Sequence, residues 1–389
     1  MAAPDIPFLD LVAPGFSTRS PQVLQARALH WCARTPYGVA VLRHRQAGLV
    51  LRDRRFRQGS HAWPEIIGLQ GSFAEFWTRS VISLEGAPHK ALRERAQAAL
   101  AEPHILALQA AFTATAEGLC AELRDRKSFD MVEGFTEPFA GHAIATLLGL
   151  PAGDAAALAH DAACLGLAMG PDARQHEAQV NAACDRLATL AVRLIETPPP
   201  DSFVARLLDG PPLDRQAMID LVVIAIFGGV DTTRAQLAFA AHLFVQHPAQ
   251  WDWLRHHTEA VPAAIEEVIR LRPTTTWATR EALEDVTLDE VTIARGETVH
   301  ILVHASGTDP ATGHDGHFDI TARRKPHFGF GGGSHHCLGH LLARTDMAAA
   351  LRVWLRLWSR IELAGTPDFL PDSGNTSPVK MPVRPIWDR

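Results

Sequence analysis

The 389-residue sequence is poor in cysteine, and its few cysteines exclude two classes of small scaffold. They stand at Cys32, Cys120, Cys164, Cys184 and Cys337, an odd number with no C-x-x-C pair. A disulfide framework needs paired cysteines and a zinc knuckle needs closely spaced ones, so we expect neither. A reducing, cytoplasmic environment fits this composition.

The sequence also lacks an excess of positive charge. Its 37 Lys and Arg residues against 43 Asp and Glu residues give a net charge of −6 at pH 7. Nucleic-acid-binding domains usually carry a basic excess, so we expect no nucleic-acid partner. Hydrophobic residues make up 47% of the chain, which argues against intrinsic disorder and allows a large core.

No leader and no long apolar run is recognisable. The N-terminal stretch has no basic residue before Arg19, whereas a secretory signal needs a positive segment followed by an apolar one. The most apolar run covers residues 221–230, between Asp220 and Asp231. Ten residues are too short for a bilayer core of about 30 Å, so we expect a soluble protein without a membrane contact.

Helical periodicity dominates the chain, so the predicted fold class is mainly α with a small β portion. The predicted helices cover about residues 88–126, 136–150, 154–170, 174–196, 214–247, 262–271 and 339–360. Strand signals are limited to a loose alternation over 38–51 and to short antiparallel pieces over 286–303. The run Pro198–Pro200 is interpreted as a surface loop between helices rather than a domain linker.

The segment most informative about chemistry is FGFGGGSHHCLGH, residues 328–340. Its glycine density indicates a backbone that turns tightly and approaches another group closely. A cysteine beside a helix start has backbone N–H groups directed at its sulfur, which favour the thiolate. Such a thiolate is either a nucleophile or a soft metal ligand.

Three interpretations of this segment compete. One is a structural turn with an incidental cysteine, which the five glycines around Cys337 disfavour. A second is zinc bound by His335, His336, Cys337 and His340, although adjacent ligands suit a tetrahedral site poorly. The third is iron porphyrin with Cys337 as the axial ligand.

The run FGGGSHHCLG, from Phe330 to Gly339, resembles the heme-thiolate signature of the cytochrome P450 superfamily, F-G-x-G-x-H/R-x-C-x-G. The resemblance implies that Cys337 ligates the iron of heme b (iron protoporphyrin IX) and that Phe330 packs near its sulfur. His335 stands where the family places a propionate partner, and a propionate needs a cationic or N–H donor. The resemblance further implies one cytochrome P450 heme domain over residues 1–389, with the heme between a long central helix and the cysteine loop.

A second motif lies in the central helix, where residues 221–233 read LVVIAIFGGVDTT. Gly228 and Gly229 each cost about 1 kcal/mol relative to alanine inside a helix. The Thr232 hydroxyl can bond back to the Gly228 carbonyl and open the helix locally, creating a pocket for O₂ and water. A buried helix with a packing notch is the plainer interpretation. Since the run is similar to the family motif [A/G]-G-x-[D/E]-T, Asp231 and Thr232 are implied to be the acid–alcohol pair that delivers protons.

Weaker motifs follow the family order. Glu267 and Arg270 form an E-x-x-R pair on one helix face, and the resemblance gives this pair a structural role completed by Arg323, with Arg324 as the second choice. The resemblance also implies that Arg280 contacts a heme propionate.

The stretch EGAPHKALR, which ends at Arg93, is similar to the family's H-x-x-x-R helix start. His89 and Arg93 lie four residues apart on one face. The resemblance makes both residues propionate contacts, and the alternative is a solvated basic face.

The implied function is that of a soluble, bacterial-type monooxygenase that inserts one atom of O₂ into a small organic substrate by hydroxylation or dealkylation. No flavin or iron–sulfur segment is recognisable, so ferredoxin and ferredoxin reductase are the expected electron donors. They would dock on a basic rim formed by His336, His340 and Arg344. We expect a monomer in the cytoplasm.

Three alternatives remain open: a peroxide-driven enzyme of the same fold, a non-oxygenating relative, and a heme sensor without turnover. The substrate is not readable from the sequence. By family analogy, loops 60–84 and 165–179 line the pocket together with Val230, Thr275, Thr276 and Trp277. Trp277 and Phe76 are nevertheless aromatic residues of a kind found more often in a core than in a pocket.

Overall fold

A computed structural model describes residues 6–170, 172–313, 315–372 and 374–388. The first five residues of the expected leaderless N-terminus, and position 171 of the expected pocket segment, lie outside this description. The α-helices of the described residues are α1 (Pro21–Leu29), α2 (His44–Arg52), α3 (Trp63–Ile67), α4 (Ser72–Arg79), α5 (Gly86–Ala99), α6 (Glu102–Ala107), α7 (Gln109–Leu123), α8 (Glu137–Leu148), α9 (Ala155–Gly166), α10 (Glu177–Glu196), α11 (Phe203–Leu208), α12 (Arg215–Gln246), α13 (Pro248–His256), α14 (Val261–Leu271), α15 (Val303–Gly307) and α16 (His340–Leu357).

The strands are short, as the sequence predicts. They are β1 (Cys32–Thr35), β2 (Gly38–Val41), β3 (Phe56–Gln58), β4 (Phe129–Asp130), β5 (Trp277–Ala282), β6 (Val286–Leu288), β7 (Val291–Ile293), β8 (Thr298–Leu302), β9 (Trp358–Leu363), β10 (Asp368–Phe369), β11 (Pro378–Lys380) and β12 (Pro382–Trp387). The prediction of a mainly helical chain with a small β portion is confirmed.

The chain forms two compact units. The first unit comprises residues 1–63, 266–337 and 370–376, and the second comprises 64–265, 338–369 and 377–389. The first unit holds a five-stranded sheet of order β1-β2-β8-β5-β3, in which only the β2–β8 pair is parallel. Helix α2 covers the buried valines of this sheet, and Phe328 belongs to the same core.

The second unit is built around α12, which runs for 32 residues. Its start is fixed by Asp214, whose carboxylate accepts a hydrogen bond from the Ala217 N–H at 2.9 Å. Helices α8, α9 and α10 pack against it. A three-stranded sheet of order β4-β12-β9 lies beside stacked indole rings of Trp354 and Trp358, both fully buried.

Three boundaries differ from the sequence prediction. The alternation over 38–51 is a strand only as far as Val41, and α2 follows from His44 because it can bury one face against the sheet. The helical stretch 88–126 is divided into α5, α6 and α7, with Pro103 in the first turn of α6. The last helix ends at Leu357, and the following residues form β9, in which Trp358 and Ile361 are buried.

The proline run 198–200 connects α10 to α11 within the second unit, which confirms the interpretation as a loop. Helix α12 is long and apolar enough to cross a membrane, with a mean hydropathy of 1.4 over its best window. However, 56% of that window is buried inside the protein, as is usual for the core helix of a soluble protein.

Candidate active site

The cysteine loop of the first unit is a tight turn that requires glycine. The Gly331 N–H donates to the Phe328 carbonyl and the Cys337 N–H donates to the Phe330 carbonyl, both at 2.8 Å. Gly331 and Gly333 each have a φ of +68°, and a Cβ at Gly333 would lie 2.0 Å from the Leu51 carbonyl oxygen. The loop is therefore pressed onto the end of α2 as only glycine allows.

Cys337 differs from the other cysteines in its accessibility. It is exposed, whereas the other four are buried. Burial raises the pKa of the thiols of Cys32, Cys120 and Cys184 to about 12 in each case, which leaves them protonated and unreactive. Cys337 is thus the cysteine whose sulfur a ligand can reach, and Gly339, two residues later, is the N-cap residue of α16.

The chemistry of this loop fits a single soft ligand better than a zinc centre. Among the described residues, His335, His336 and Cys337 do not bring three ligand atoms together as a metal-binding group. A structural zinc site needs four ligands in a tetrahedron. The aromatic ring of Phe330 instead lies beside His336, with ring centroids 6.3 Å apart.

Arg280 lies at the edge of the same loop. Its guanidinium is buried and donates to the Gly332 carbonyl at 3.3 Å and to Gln58 Oε1 at 2.9 Å. Both positions follow from the pairing of β3 with β5, which places Gln58 opposite Arg280. A buried guanidinium beside the cysteine loop suits a carboxylate such as a heme propionate.

The ion cluster of the first unit corrects one prediction. Arg270 binds both oxygens of Glu267 at 2.6 Å, and both side chains are almost completely buried. The third member is Arg324, whose Nη2 lies 3.6 Å from Glu267 Oε1, while Arg323 is exposed. The prediction of Arg323 is wrong because the turn at Asp319, closed by the Ala322 N–H, adds one residue before the chain returns to the cluster.

The arginine of the cluster also holds the chain that leads to the cysteine loop. Arg270 donates to the carbonyl oxygens of Gly307 at 3.1 Å, Asp315 at 2.7 Å and His317 at 2.9 Å. The ion pair is therefore a structural anchor within this unit.

In the second unit, the two glycines of α12 have opposite surroundings. Gly228 is exposed in the middle of a mostly buried helix, and a Cβ built there would meet no atom within 4 Å. At Gly229 a Cβ would lie 2.3 Å from Cδ1 of Ile144 on α8. Gly229 is thus a packing notch, whereas Gly228 faces open space that a flat group can enter.

The polar residues after these glycines are engaged by local partners. The Thr232 hydroxyl donates to the Gly228 carbonyl at 2.5 Å, which is the bond that the sequence predicts. Asp231 Oδ1 accepts from Arg234 Nη2 at 2.6 Å. Sequence reasoning missed Arg234, although its i+3 spacing from Asp231 was a usable signal.

The start of α5 carries the other predicted cofactor contacts. His89 is buried, which excludes a solvated basic face at this position. Burial lowers the pKa of His89, and the positive charge of Arg93 lowers it further. A neutral, buried imidazole keeps one N–H to donate to a carboxylate.

The predicted pocket residues have mostly structural roles. Thr276 is buried and donates to the Gly374 carbonyl at 2.6 Å, while the Thr275 hydroxyl lies 3.2 Å from Asn375 Oδ1. Trp277 packs against a core cluster and against His300, with ring centroids 5.5 Å apart. These are local contacts of the three side chains, and pocket lining at these positions stays a prediction. Val230 is buried beside Gly229 in α12.

Comparisons with known proteins agree with this chemistry. The family model described as Cytochrome P450 matches residues 173–369. The chain is 34% identical to luteothin monooxygenase of Streptomyces thioluteus, over 98% of this chain and 96% of the relative. It is 28% identical to nocardicin C N-oxygenase of Nocardia uniformis subsp. tsuyamanensis, over 97% of both chains. The crystal structure of CalO2 superposes with a TM-score of 0.88 at 25% identity, covering 98% of this chain and 99% of that one.

Proposed function

Because this chain belongs to the cytochrome P450 family, we propose that it hydroxylates or dealkylates a small organic substrate with electrons from separate redox proteins. It is a heme-thiolate monooxygenase of the oxidoreductase class. The two relatives are named for a monooxygenation of luteothin and for an N-oxygenation of nocardicin C. Luteothin and nocardicin C are therefore the first compounds to test.

The heme is proposed to be heme b, held by the residues that the signature motifs predict. Bound heme supplies the redox chemistry that activates O₂, and a thiolate ligand favours O–O cleavage. Cys337 would bind the iron, with Phe330 beside the sulfur and Gly228 giving room along α12. Arg280, His335, His89 and Arg93 would hold the two propionates through charged or N–H donor groups. We propose that the whole chain serves as one heme domain, which is supported by its full-length match to solved relatives.

Asp231 and Thr232 are proposed to move the protons of the reaction. The Thr232 hydroxyl is fixed by the Gly228 carbonyl and presents its oxygen lone pairs to whatever enters the space at Gly228. The Asp231 carboxylate is the adjacent group that can take up a proton and pass it on. The buried apolar residues of α12, such as Val230, keep bulk water away from this step.

Electrons are proposed to come from a ferredoxin and its reductase in the cytoplasm. The residues of the expected docking rim, His336, His340 and Arg344, flank the cysteine in sequence, and Arg344 Nη1 lies 2.9 Å from His340 Nδ1. Arg52 follows Leu51, whose carbonyl oxygen lies beside Gly333, and the Arg52 guanidinium donates to the Gly48 carbonyl at 3.0 Å. Alanine substitutions at Arg344 and Arg52 should slow the reduction of the protein by ferredoxin, and unchanged rates would remove this docking proposal.

The observation that supports the cofactor proposal most directly is the accessible sulfur of Cys337 in a glycine loop. The test is the visible spectrum of the reduced, carbon monoxide-bound protein. The wild-type protein and the control Cys184→Ala should show the red-shifted thiolate band, whereas Cys337→Ser should lose it. A wild-type protein that stays colourless after heme supplementation contradicts the proposal.

The reaction itself is tested by product formation with NAD(P)H, O₂, ferredoxin and reductase. Spin-state shifts on adding candidate compounds identify substrates before turnover is measured. A product that forms with peroxide alone, and not with the redox partners, would instead favour the peroxide-driven alternative.

A further inference from the structure

An unusual ion pair lies inside the central helix. Asp231 and Arg234 are three residues apart on α12, and Arg234 Nη2 lies 2.6 Å from Asp231 Oδ1. The exposed fractions of the two side chains are 13% and 12%. This pair is thus not one of the solvated surface pairs that contribute little to stability.

The fold by itself gives little reason for this pair. Removing two charges from water costs free energy, and well-packed apolar residues of similar volume often stabilise a protein as much or more. Arg234 Nε is buried and has no hydrogen-bond partner among the described residues, which adds to the cost. A largely buried, imperfectly satisfied ion pair therefore points to a role other than stability.

The surroundings of the carboxylate show what the arginine contributes. On the facing helix α9, a Cβ at Gly166 would lie 3.8 Å from the carboxyl carbon and from both oxygens of Asp231. Glycine thus leaves that side without a side chain that could hold the carboxylate. Among the hydrogen bonds of the described residues, the one that holds the Asp231 side chain comes from Arg234.

We propose that Arg234 is a positioning residue, which holds the Asp231 carboxylate in the place from which it passes protons to Thr232. This inference rests on the proposed function of Asp231 and Thr232 and adds to it the group that orients the acid. Since Arg234 lies on the same helix as both residues, the acid keeps its position relative to Thr232 when neighbouring helices move. The guanidinium does not need to touch the substrate or the cofactor.

The first test measures the ion pair without turnover. A double-mutant cycle compares the urea unfolding of four heme-loaded proteins: the wild type, Arg234→Gln, Asp231→Asn and the double variant. We expect Arg234→Gln to change the unfolding equilibrium constant about tenfold less in the Asp231→Asn background than in the wild type. Equal effects in both backgrounds would overturn the proposal, because the two side chains would then not interact.

The second test measures product formed per NAD(P)H consumed, with the heme spectrum as a check on folding. Asp231→Asn and Arg234→Gln should each lower this yield severalfold and raise the amount of peroxide. The double variant should give no lower a yield than Asp231→Asn alone. The conservative variant Arg234→Lys should recover part of the yield. The matched control is Arg186→Gln, since Arg186 Nη2 on α10 binds Asp161 Oδ1 on α9 at the same distance of 2.6 Å. This control should leave the yield unchanged.

The outcomes distinguish the proposed proton role of Asp231 from the proposed positioning role of Arg234. An unchanged yield in Asp231→Asn would remove the proposed proton role of Asp231. A reduced yield in Asp231→Asn together with an unchanged yield in Arg234→Gln would leave that role intact and overturn the role of Arg234. Coupling in the unfolding cycle without any change in yield would make the pair purely structural, which also overturns the inference.

Discussion

The hydroxyl of Thr232 donates to the carbonyl oxygen of Gly228 at 2.5 Å, four residues back on α12. This bond holds the hydroxyl at the turn that faces open space. We predict that Thr232→Ala keeps its heme but forms less product and more peroxide per NAD(P)H, because a hydrogen-bonding group of the proposed proton relay is lost. Removing one such group typically lowers the rate of the assisted step by about 10²–10⁴.

The control for this prediction is Thr232→Ser, which keeps the hydroxyl and its bond to Gly228. It should retain most of the product yield. Parallel assays of peroxide and product measure how the NAD(P)H consumed is divided between the two. A Thr232→Ala variant with wild-type product per NAD(P)H would exclude a role for this hydroxyl in proton delivery.

The two adjacent arginines near the ion cluster give a second prediction. Arg324 Nη2 lies 3.0 Å from Asp315 Oδ1 and 3.6 Å from the buried Glu267, whereas Arg323 is exposed. We expect Arg324→Ala to lower the free energy of unfolding by about 1.5–3 kcal/mol, as for other hydrogen bonds to charged groups. Arg323→Ala should stay within about 0.5 kcal/mol of the wild type, as is usual for surface changes. Urea unfolding of both variants checks this, and equal losses would contradict the assignment.

A buried carboxyl on α16 gives a pH-dependent prediction. Asp346 is 1% exposed and accepts a hydrogen bond from the Thr233 hydroxyl at 3.4 Å, while its Oδ1 has no partner among the described residues. Burial raises the pKa of Asp346 well above its usual value. The folded protein therefore keeps a proton on this carboxyl that the unfolded chain releases above about pH 4. The free energy of unfolding must then fall as pH rises between the unfolded and folded pKa values.

The variant Asp346→Asn lacks this proton and should lack the slope. We expect its stability advantage over the wild type to grow from about pH 4 upward, by at most about 1.4 kcal/mol per pH unit. Urea unfolding at several pH values measures the difference. Asp125→Asn, which changes an exposed aspartate after α7, should show no such trend. A pH-independent difference between wild type and Asp346→Asn would contradict the prediction.

The sequence predicts those parts of the molecule in which a local pattern has one physical solution. Helix α12 follows from its apolar run and its aspartate cap, and the glycine loop follows from a density of glycine that few other structures need. The bond from Thr232 to Gly228 could be predicted because it depends on spacing along a single helix. The different surroundings of the two glycines could not be predicted: Gly229 is a packing notch, whereas Gly228 faces open space.

Two of the missed features depend on contacts between residues distant in sequence. The choice between Arg323 and Arg324 depends on the shape of the turn at Asp319, which no periodicity encodes. Trp277 was open to a pocket or a core role, and its packing against a core cluster depends on residues of the first unit that lie far away in the sequence. Arg234 was overlooked because an arginine in a helix is usually solvated, and burial is not visible in one sequence.

The two neighbouring glycines of α12 allow a last, matched prediction. Alanine is better than glycine in a helix by about 1 kcal/mol. At Gly228 the new methyl meets no atom within 4 Å, so Gly228→Ala should fold normally but bind heme less well, because the methyl enters the space proposed for the porphyrin.

At Gly229 the methyl would lie 2.3 Å from Ile144 Cδ1, so Gly229→Ala should lose up to about 2 kcal/mol of stability, since overpacking outweighs the gain in helix propensity. Circular dichroism, urea unfolding and the ratio of Soret to protein absorbance separate the two effects. The double variant Gly229→Ala/Ile144→Val should recover stability, and normal heme content in Gly228→Ala would show that the porphyrin does not lie against this turn.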